Sequence, residues 1–505
     1  MGERIDGPID QLITRWAKDE RLAIVFERTE VTYGQLADRV DAAASGLVAA
    51  GIGAGDRVVF CGLNRVELIE TLLACWRIGA LFCPINNRLT PTEIAVLLAD
   101  SRPSLLLATD GFDDTLLAAA ALLDENRRID ADTIVNLETE SPRSVAAAER
   151  RSPGDVAPGD PALMVYTSGT TGAPKGAVHT QASLVATWQN SIDHQDLSGD
   201  DCIVAPLPTF HVGGLNIQTL PTLVVGGTVV LERRFDPGAV LDAISTNRAT
   251  QTVLVPAMLA AVAAHPDFDA TDFSSLVGIN SGSSIIPEAV MRPFFDRGVP
   301  VGQVYGTTET GPTAVVLDYT EAAARIGSCG RPAKLTELRI VDPSGHDVDD
   351  GIDGELWVRG PNVFSHYWER PEATEAVFAD GWFRTGDVGH RDGDGFVTIA
   401  DRVTDVIISG GENVYPAEVE AVLLGHPAIA DVAVVGKPDD RWGETPVAVV
   451  VPVPGTELEL EELRSWCEER LARFKQPRGL IAVEELPRTA LGKVKKHELR
   501  AELAN

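Results

Sequence analysis

The stretch YTSGTTGAPKGA, residues 166–177, is the most informative part of this 505-residue chain. It follows the apolar run ALMV, residues 162–165, which predicts a loop that leaves a β-strand. Its three glycines and four Ser/Thr residues supply backbone N–H groups and hydroxyls that can face phosphate oxygens, and Lys175 adds a positive charge. The order Pro174-Lys175-Gly176 differs from the Gly-Lys-Ser/Thr end of a Walker P-loop, so a different kind of phosphate-binding loop is predicted.

Apolar runs of strand length alternate with helical patterns along the chain. Residues 65–80 show the apolar spacing of a helix, whereas residues 56–63 and 104–109 are short β-rich runs. This alternation predicts an α/β fold in which sheets and helices form layers. Between residues 335 and 400 the pattern changes to short β runs separated by Gly/Asp turns, which predicts a β-rich subdomain.

A second module is predicted to begin near residue 401. Residues 417–505 read as helix, strand, strand, helix, strand, helix, the pattern of a small α+β unit. We therefore expect a large N-terminal domain over residues 1–400 and a small C-terminal domain over residues 401–505. Residues 471–500 contain eight Lys/Arg and three Asp/Glu, a positive excess that suits an anionic ligand as well as a solvated helix face.

The composition argues against several classes of protein. With 43 Lys+Arg against 74 Asp+Glu, the net charge of -31 repels nucleic acids and anionic membrane surfaces. No apolar run approaches the roughly 20 residues of a membrane helix, and residues 1–16 lack an apolar signal core, so we expect a cytoplasmic protein with no integral membrane segment. The cysteines form no CxxC pair and the histidines no HExxH motif, which predicts free thiols and no structural metal site.

Six further motifs follow the phosphate-binding loop along the chain. They are PLPTFHVGG (206–214), NSGSSIIP (280–287), YGTTE (305–309), WFRTGDVG (382–389), DRVTDVIISGGENVYPAEVE (401–420) and PRTALGKV (487–494). With the loop, they resemble in type and order the adenylate-forming superfamily, which includes acyl-CoA synthetases, the adenylation domains of peptide synthetases and beetle luciferases. The resemblance covers nearly the whole chain.

The resemblance implies a reaction in two steps. A carboxylate attacks the α-phosphate of ATP and gives acyl-AMP and pyrophosphate, and the thiol of CoA then displaces AMP. It also implies ATP, Mg²⁺ and coenzyme A as the small molecules involved, and a mobile C-terminal domain that rotates between the steps. Because an anion must approach a polyanion, charge neutralisation and positioning dominate such catalysis.

The nucleotide site also follows from the resemblance. It implies that Tyr305 stacks on adenine, that Thr308 touches the α-phosphate and that Glu309 holds Mg²⁺. It further implies that Asp387 accepts both ribose hydroxyls and that Arg402 reaches the nucleotide. The other matching positions, including two serines where the family has Gly and Ala beside adenine, are Thr167, Ser168, Gly169, Thr170, Thr171, Gly172, Lys175, Gly282, Ser283, Ser284 and Gly306.

For the C-terminal domain, the resemblance makes Lys493 the lysine that bridges the substrate carboxylate and the α-phosphate. Thr404 matches the hinge of the domain rotation, where most relatives carry Asp or Lys. Lys495 and Lys496 are expected to be solvated neighbours. The candidate CoA contacts are Gly410, Gly411, Trp442 and Lys475.

The acyl pocket is predicted around His211, which matches the residue at the pocket mouth and would gate access or orient the carboxylate. Val212, Gly213 and Gly311 are the candidate lining residues. The visible lining is small or apolar, with no Lys or Arg after His211 to hold a second carboxylate. We therefore predict a mostly apolar monocarboxylic acid, whether fatty, aromatic or alicyclic.

An acyl-CoA ligase is favoured because ISGGENVYPAEVE, residues 408–420, most resembles the segment found in such ligases. The alternatives are a stand-alone adenylation enzyme that loads a separate carrier protein, and an o-succinylbenzoate-type CoA ligase. The joint presence of Lys493, Glu309 and Asp387 argues against a non-catalytic binding module, whereas the motifs do not separate a luciferase-type oxidation from ligation. The expected partners are a carboxylic acid, ATP and CoA, with a homodimer left open.

Overall fold

The computed structural model describes residues 7–124, 129, 133–137, 156–168, 174–283, 286–402, 405–409, 412–439, 442–468, 470–471, 473, 475–488 and 494–503. Its helices are α1 (Ile9–Thr14), α2 (Tyr33–Ala49), α3 (Val66–Ile78), α4 (Pro91–Ser101), α5 (Asp113–Ala120), α6 (Gln181–Gln195), α7 (Val212–Asn216), α8 (Thr219–Val225), α9 (Pro237–Thr246), α10 (Pro256–Ala263), α11 (Glu288–Asp296), α12 (Pro371–Ala376), α13 (Pro416–Leu424), α14 (Leu460–Glu468) and α15 (Lys496–Leu503).

Two mostly parallel sheets with antiparallel edges build the N-terminal part. The first contains, in spatial order, β15 (Arg331–Pro332), β14 (Val315–Leu317), β13 (Val301–Tyr305), β12 (Gly278–Ser281), β11 (Gln251–Val253), β9 (Cys202–Ala205), β10 (Thr228–Leu231), β1 (Leu22–Phe26) and β2 (Thr29–Thr32). The second contains β18 (His366–Tyr367), β8 (Pro174–Thr180), β7 (Pro161–Ser168), β4 (Leu81–Pro84), β3 (Arg57–Cys61), β5 (Leu105–Ala108) and β6 (Ile134–Asn136).

The largest apolar core joins residues of both sheets to α2, α3 and α6. Helix α3 is apolar on nearly every side because sheet and helix residues surround it, and it ends at Gly79, whose φ of 76° provides the left-handed C-cap. Trp76 of α3 and Trp188 of α6 meet in this core with ring centroids 5.7 Å apart. This layered arrangement confirms the predicted α/β fold class.

Two smaller antiparallel or mixed sheets complete the fold. The third sheet contains β16 (Glu337–Val341), β17 (Gly354–Arg359), β20 (Trp382–Arg391), β19 (Phe378–Ala379) and β21 (Val397–Arg402). The fourth contains β23 (Glu412–Val414), β22 (Ile407–Ser409), β25 (Gly443–Pro452), β24 (Ile429–Asp439) and β26 (Gly479–Ala482). Sheet membership thus changes between Arg402 and Ile407, close to the domain boundary predicted at residue 401.

The C-terminal order α13, β24, β25, α14, β26, α15 reproduces the predicted pattern of helix, strand, strand, helix, strand and helix. The hairpin of β22 and β23 was not predicted, because its strands are only three residues each. Among the described helices, none has both the length and the apolar character needed to cross a membrane.

Candidate active site

The predicted phosphate-binding loop connects two paired strands. Antiparallel pairing of β7 with β8 sets Thr167 opposite Lys175 and Ser168 opposite Pro174, so the strands hold both ends of the loop. The Lys175 ammonium lies 5.3 Å from the ring centroid of Tyr367, within range of a cation–π interaction. Several predicted site residues lie outside the described part of the chain: Gly169, Thr170, Thr171, Gly172, Ser284, Thr404, Gly410, Gly411 and Lys493.

Tyr367 also contacts the predicted magnesium ligand. Its hydroxyl donates a 2.7 Å hydrogen bond to Oε1 of Glu309, which is buried in the short turn Thr308–Thr310. Burial and this carboxylate raise the pKa of Tyr367, so the phenol keeps its proton and stays a donor. No donor within the described residues contacts Oε2 of Glu309. A held carboxylate with one oxygen left over, beside a phosphate-loop lysine, fits the oxygen chemistry of Mg²⁺.

His179 supports the same turn from the end of β8. Its Nε2 lies 2.7 Å from the carbonyl oxygen of Thr308, and because a carbonyl only accepts, Nε2 carries the proton. Burial lowers the pKa of His179 to about 4, so the ring is neutral at pH 7. The backbone carbonyl beside Glu309 is thus held by a neutral, buried donor.

This burial predicts an acid sensitivity that can be measured. Between pH 6.5 and 4 the unfolded chain protonates His179 while the folded chain does not, so the free energy of unfolding falls as the pH falls. The variant His179→Gln keeps an N–H donor but does not titrate. Between pH 7 and pH 5.5 we expect its free energy of unfolding to fall by about 1 kcal/mol less than that of the wild type. Urea unfolding at the two pH values measures the difference, and equal losses in both proteins would contradict this reading of His179.

The predicted adenine and ribose residues lie in direct contact. The Tyr305 hydroxyl donates a 2.8 Å hydrogen bond to Oδ2 of Asp387, which is only 6% exposed. Burial and the carboxylate raise the pKa of Tyr305 well above its ordinary value, so the hydroxyl remains the donor. The register of β20 with β21 sets Asp387 opposite Arg402, which brings a third predicted nucleotide residue to the same place.

The predicted adenine-flanking run follows β12. A Cβ at Gly282 would lie 2.4 Å from the carbonyl oxygen of Val304, so only glycine fits there. Ser283 adopts a φ of 75°, a left-handed conformation that favours the glycine the family has at this position. Ser283 is therefore a site of local backbone strain.

His211 caps the start of α7. Its Nδ1 accepts a 3.3 Å hydrogen bond from the backbone N–H of Gly213, which leaves the proton on Nε2. Burial lowers the pKa of His211 to about 4. The ring is therefore neutral at pH 7 and carries on Nε2 a proton that it can donate.

An apolar group, here called the pocket cluster, begins next to His211. Its members are Leu207, Ile217, Val253, Val255 and Val304, with Met258 and Val316 packed against them. A Cβ at Gly213 would be in ordinary contact with Ile217 and Leu207, at 3.8 and 3.9 Å, so this glycine borders the cluster.

Val212 and Gly311, the other two candidate lining residues, do not belong to the pocket cluster. Val212 is buried in the large core with α6, not in the pocket cluster. Gly311 has a φ of 81°, and a Cβ there would lie 2.2 Å from Oγ1 of Thr187. Backbone conformation and close packing against α6 therefore account for this glycine.

The positive excess of residues 471–500 is largely offset in the folded chain. Five of its basic side chains pair with carboxylates, in the pairs Lys475–Glu418, Arg488–Asp431, Lys495–Glu498, Lys496–Glu420 and Arg500–Asp405. The expectation of a solvated side chain is wrong for Lys496, which is 13% exposed. Of the candidate CoA contacts, Lys475 binds Glu418 at 2.7 Å, and Trp442 lies under the Arg478 guanidinium at 4.5 Å.

Comparison with known proteins decides the family. A sequence model described as AMP-binding enzyme matches residues 14–368, and one described as AMP-binding enzyme C-terminal domain matches residues 418–493. The chain belongs to the AMP-binding enzyme family. The resemblance to the adenylate-forming superfamily is thereby confirmed.

Curated and solved members of this AMP-binding family align along almost the full chain. Indoleacetate–CoA ligase of Aromatoleum aromaticum is 47% identical, covering 95% of this chain and 94% of its own, and feruloyl-CoA synthase of an Amycolatopsis species is 43% identical, covering 94% of each. The o-succinylbenzoate CoA synthetase of Bacillus subtilis, solved with its acyl-adenylate intermediate, superposes with a TM-score of 0.88 at 32% identity, covering 99% of this chain and 98% of its own. The same enzyme has been solved with ATP and a magnesium ion.

Sequence reasoning missed Tyr367 and His179, although both hold predicted site residues of this family member. Tyr367 lies in the segment SHYWERPEAT (365–374), whose paired aromatics next to a polar run were the available signal. His179 lies four residues after Lys175 in an apolar strand, where an isolated polar residue needs a partner.

Proposed function

We propose that this chain is an ATP-dependent, AMP-forming acyl-CoA ligase whose substrate is a mostly apolar, aromatic monocarboxylic acid. The observation that carries the proposal is the cluster in which Tyr367 binds the Glu309 carboxylate through its hydroxyl and lies under the Lys175 ammonium with its ring. A fixed anion for a metal and a cation for phosphates are what the activation of a carboxylate by ATP requires. The family and the two ligase relatives support the same assignment.

In the first step, a carboxylate oxygen of the substrate attacks the α-phosphorus, and the bond to the β-phosphate oxygen breaks to release pyrophosphate. Lys175 neutralises phosphate charge, and Asp387 orients the ribose by accepting from its hydroxyls. Glu309 would hold Mg²⁺, which supplies further charge neutralisation when bound. His211, neutral and protonated on Nε2, donates to the incoming carboxylate.

In the second step, the CoA thiolate attacks the acyl carbonyl carbon, and the bond to the AMP oxygen breaks. We assign Lys493 to the first step, Thr404 to the hinge, and Gly410 and Gly411 to the CoA path, on the sequence resemblance alone. We also propose the two domains 1–400 and 401–505 and a cytoplasmic location. The ion pair of Lys475 with Glu418 means that a CoA phosphate would compete with a carboxylate for this lysine.

The apolar acyl pocket is proposed to be the pocket cluster. Its members are aliphatic, and it adjoins His211 through Gly213 and the adenine-flanking run through Val304. Among the described residues, the lining of the cavity next to this cluster includes no Lys or Arg, so a second carboxylate would lack a partner there. Relatives named for indoleacetate and ferulate favour an aromatic acid over an aliphatic chain.

Replacement of Asp387 tests the nucleotide site. Two hydrogen bonds from ribose hydroxyls to a carboxylate are worth about 3–6 kcal/mol in total. We therefore expect Asp387→Ala to raise the KM for ATP by about 100-fold or more. Tyr305→Phe is the matched control, since it removes the 2.8 Å bond to the same carboxylate but keeps both the carboxylate and the ring for stacking. An unchanged KM for ATP in Asp387→Ala would make this residue merely a turn former.

A panel of acids tests the substrate class. The enzyme with ATP, Mg²⁺ and CoA would be offered indole-3-acetate, ferulate, o-succinylbenzoate, a medium-chain fatty acid and malonate, and thioester formation would be followed by mass spectrometry. We expect the highest kcat/KM with an aromatic monocarboxylic acid. Efficient use of malonate would contradict the apolar pocket, and transfer only to a phosphopantetheine carrier protein would favour the carrier-loading alternative.

A further inference from the structure

A hydrogen-bond network of buried side-chain amides lies next to the pocket cluster. Gln195 at the end of α6 is its centre, and Gln218, Asn280 and Gln251 surround it. Tyr319 also belongs to this network, because its hydroxyl donates a 2.8 Å hydrogen bond to Oε1 of Gln251. The four amide side chains are nearly inaccessible to solvent, so each must find its hydrogen-bond partners inside the protein.

The orientation of the central amide is fixed by its neighbours. Nε2 of Gln195 lies 2.7 Å from the carbonyl oxygen of Ile217 and 3.2 Å from that of Ser191. Carbonyl oxygens only accept, so the amide nitrogen must point at them and Oε1 must point away. That oxygen is 2.6 Å from Nε2 of Gln218 and 2.8 Å from Nδ2 of Asn280. Both of those side chains therefore donate to it.

The orientation of the Gln195 amide leaves one hydrogen-bond acceptor of the network, Oε1 of Gln218, without a donor among the described residues. Because Gln218 donates with Nε2, its Oε1 is the atom left, and it has no partner within the described residues although the side chain is only 2% exposed. An unpaired buried carbonyl is costly, and in native proteins such an atom calls for a specific explanation.

Gln218 lines a small cavity beside the proposed acyl pocket. Leu207 and Val253 of the pocket cluster line the same cavity, as does Gly213, the glycine that borders that cluster. The hydroxyl of Thr219, another lining residue, is already used in a 2.6 Å hydrogen bond to the carbonyl of Gly214. The cavity of about 10 Å³ has room for one small polar group.

We infer that Oε1 of Gln218 accepts a hydrogen bond from an N–H or O–H group on the acyl part of the substrate, remote from the carboxylate. The inference rests on the proposed function and narrows it to aromatic acids that carry such a donor. A site that buries an acceptor discriminates against analogues that lack the donor, because the acceptor then stays unpaired.

Two acids of nearly the same shape provide the test. Indole-3-acetate carries a ring N–H, and benzothiophene-3-acetate has sulfur, which donates nothing, in its place. For the wild type we expect a kcat/KM for thioester formation at least tenfold higher with the indole acid. In Gln218→Met we expect this ratio to fall to about one, through loss of activity on the indole acid.

Gln251→Met is the matched control, since Gln251 is an equally buried glutamine of the same hydrogen-bond network but does not line the cavity. It should keep the wild-type ratio. A wild-type ratio near one, or a ratio that survives in Gln218→Met, overturns the inference while the ligase function stands. Absence of thioester from both acids contradicts the proposed activity on aromatic monocarboxylic acids and the inference with it. The wild-type ratio requires no variant, so it decides the matter even if Gln218→Met fails to fold.

Discussion

Replacement of Glu309 by glutamine is expected to lower the rate of adenylation by about 100- to 1,000-fold. Glutamine preserves the size of the side chain and an oxygen for the Tyr367 hydroxyl, so the turn Thr308–Thr310 keeps its support. What is lost is the negative charge that would hold Mg²⁺ beside the phosphates. Initial rates of pyrophosphate release measured over a Mg²⁺ titration should show both a lower maximum and a higher Mg²⁺ requirement.

Tyr367→Phe is the control for this experiment. It leaves the Glu309 carboxylate in place and removes one hydrogen bond to it, which is worth about 1.5–3 kcal/mol when the acceptor is charged. We expect a loss of about tenfold or somewhat more, well short of that in Glu309→Gln. If Glu309→Gln shows the wild-type dependence on Mg²⁺, Glu309 is not the metal ligand.

Lys493→Ala should separate the two half-reactions. The resemblance implies that this lysine bridges the substrate carboxylate and the α-phosphate only while acyl-AMP forms. Its loss should therefore reduce adenylation by about 1,000-fold or more. Thioester formation from supplied acyl-AMP and CoA should stay close to the wild-type rate. Single-turnover assays of each half-reaction measure the two effects separately.

Lys495→Ala provides the matched control, because it removes a lysine two positions away. Its ammonium binds Glu498 at 2.8 Å, in a half-exposed pair within the same C-terminal segment, so its removal should affect neither half-reaction appreciably. Equal losses in both half-reactions of Lys493→Ala would contradict the assignment of this lysine to the first step alone.

The sequence was sufficient for the fold class and the family because both depend on local patterns. Alternating strands and helices predicted the layered sheets, and the ordered motifs identified the superfamily. The supporting residues were not accessible in this way. Tyr367 meets Glu309 across 58 positions and His179 meets Thr308 across 129, and only the packed sheets bring these pairs together.

Charge counted along the chain was also an incomplete guide. Most carboxylates that pair with the basic side chains of residues 471–500 come from earlier segments, such as Asp405 and Glu418. A count within one window cannot include them. The motif match at Gly311 likewise does not reveal that the absence of a side chain there makes room for Thr187.

The most direct test of the central claim is pyrophosphate release from ATP and Mg²⁺ with an aromatic acid, measured with and without CoA. The account predicts slow release without CoA, a strong increase when CoA is added, and a CoA thioester and AMP formed in equal amounts. Acid-dependent pyrophosphate exchange that is indifferent to CoA, with no thioester formed, would contradict it.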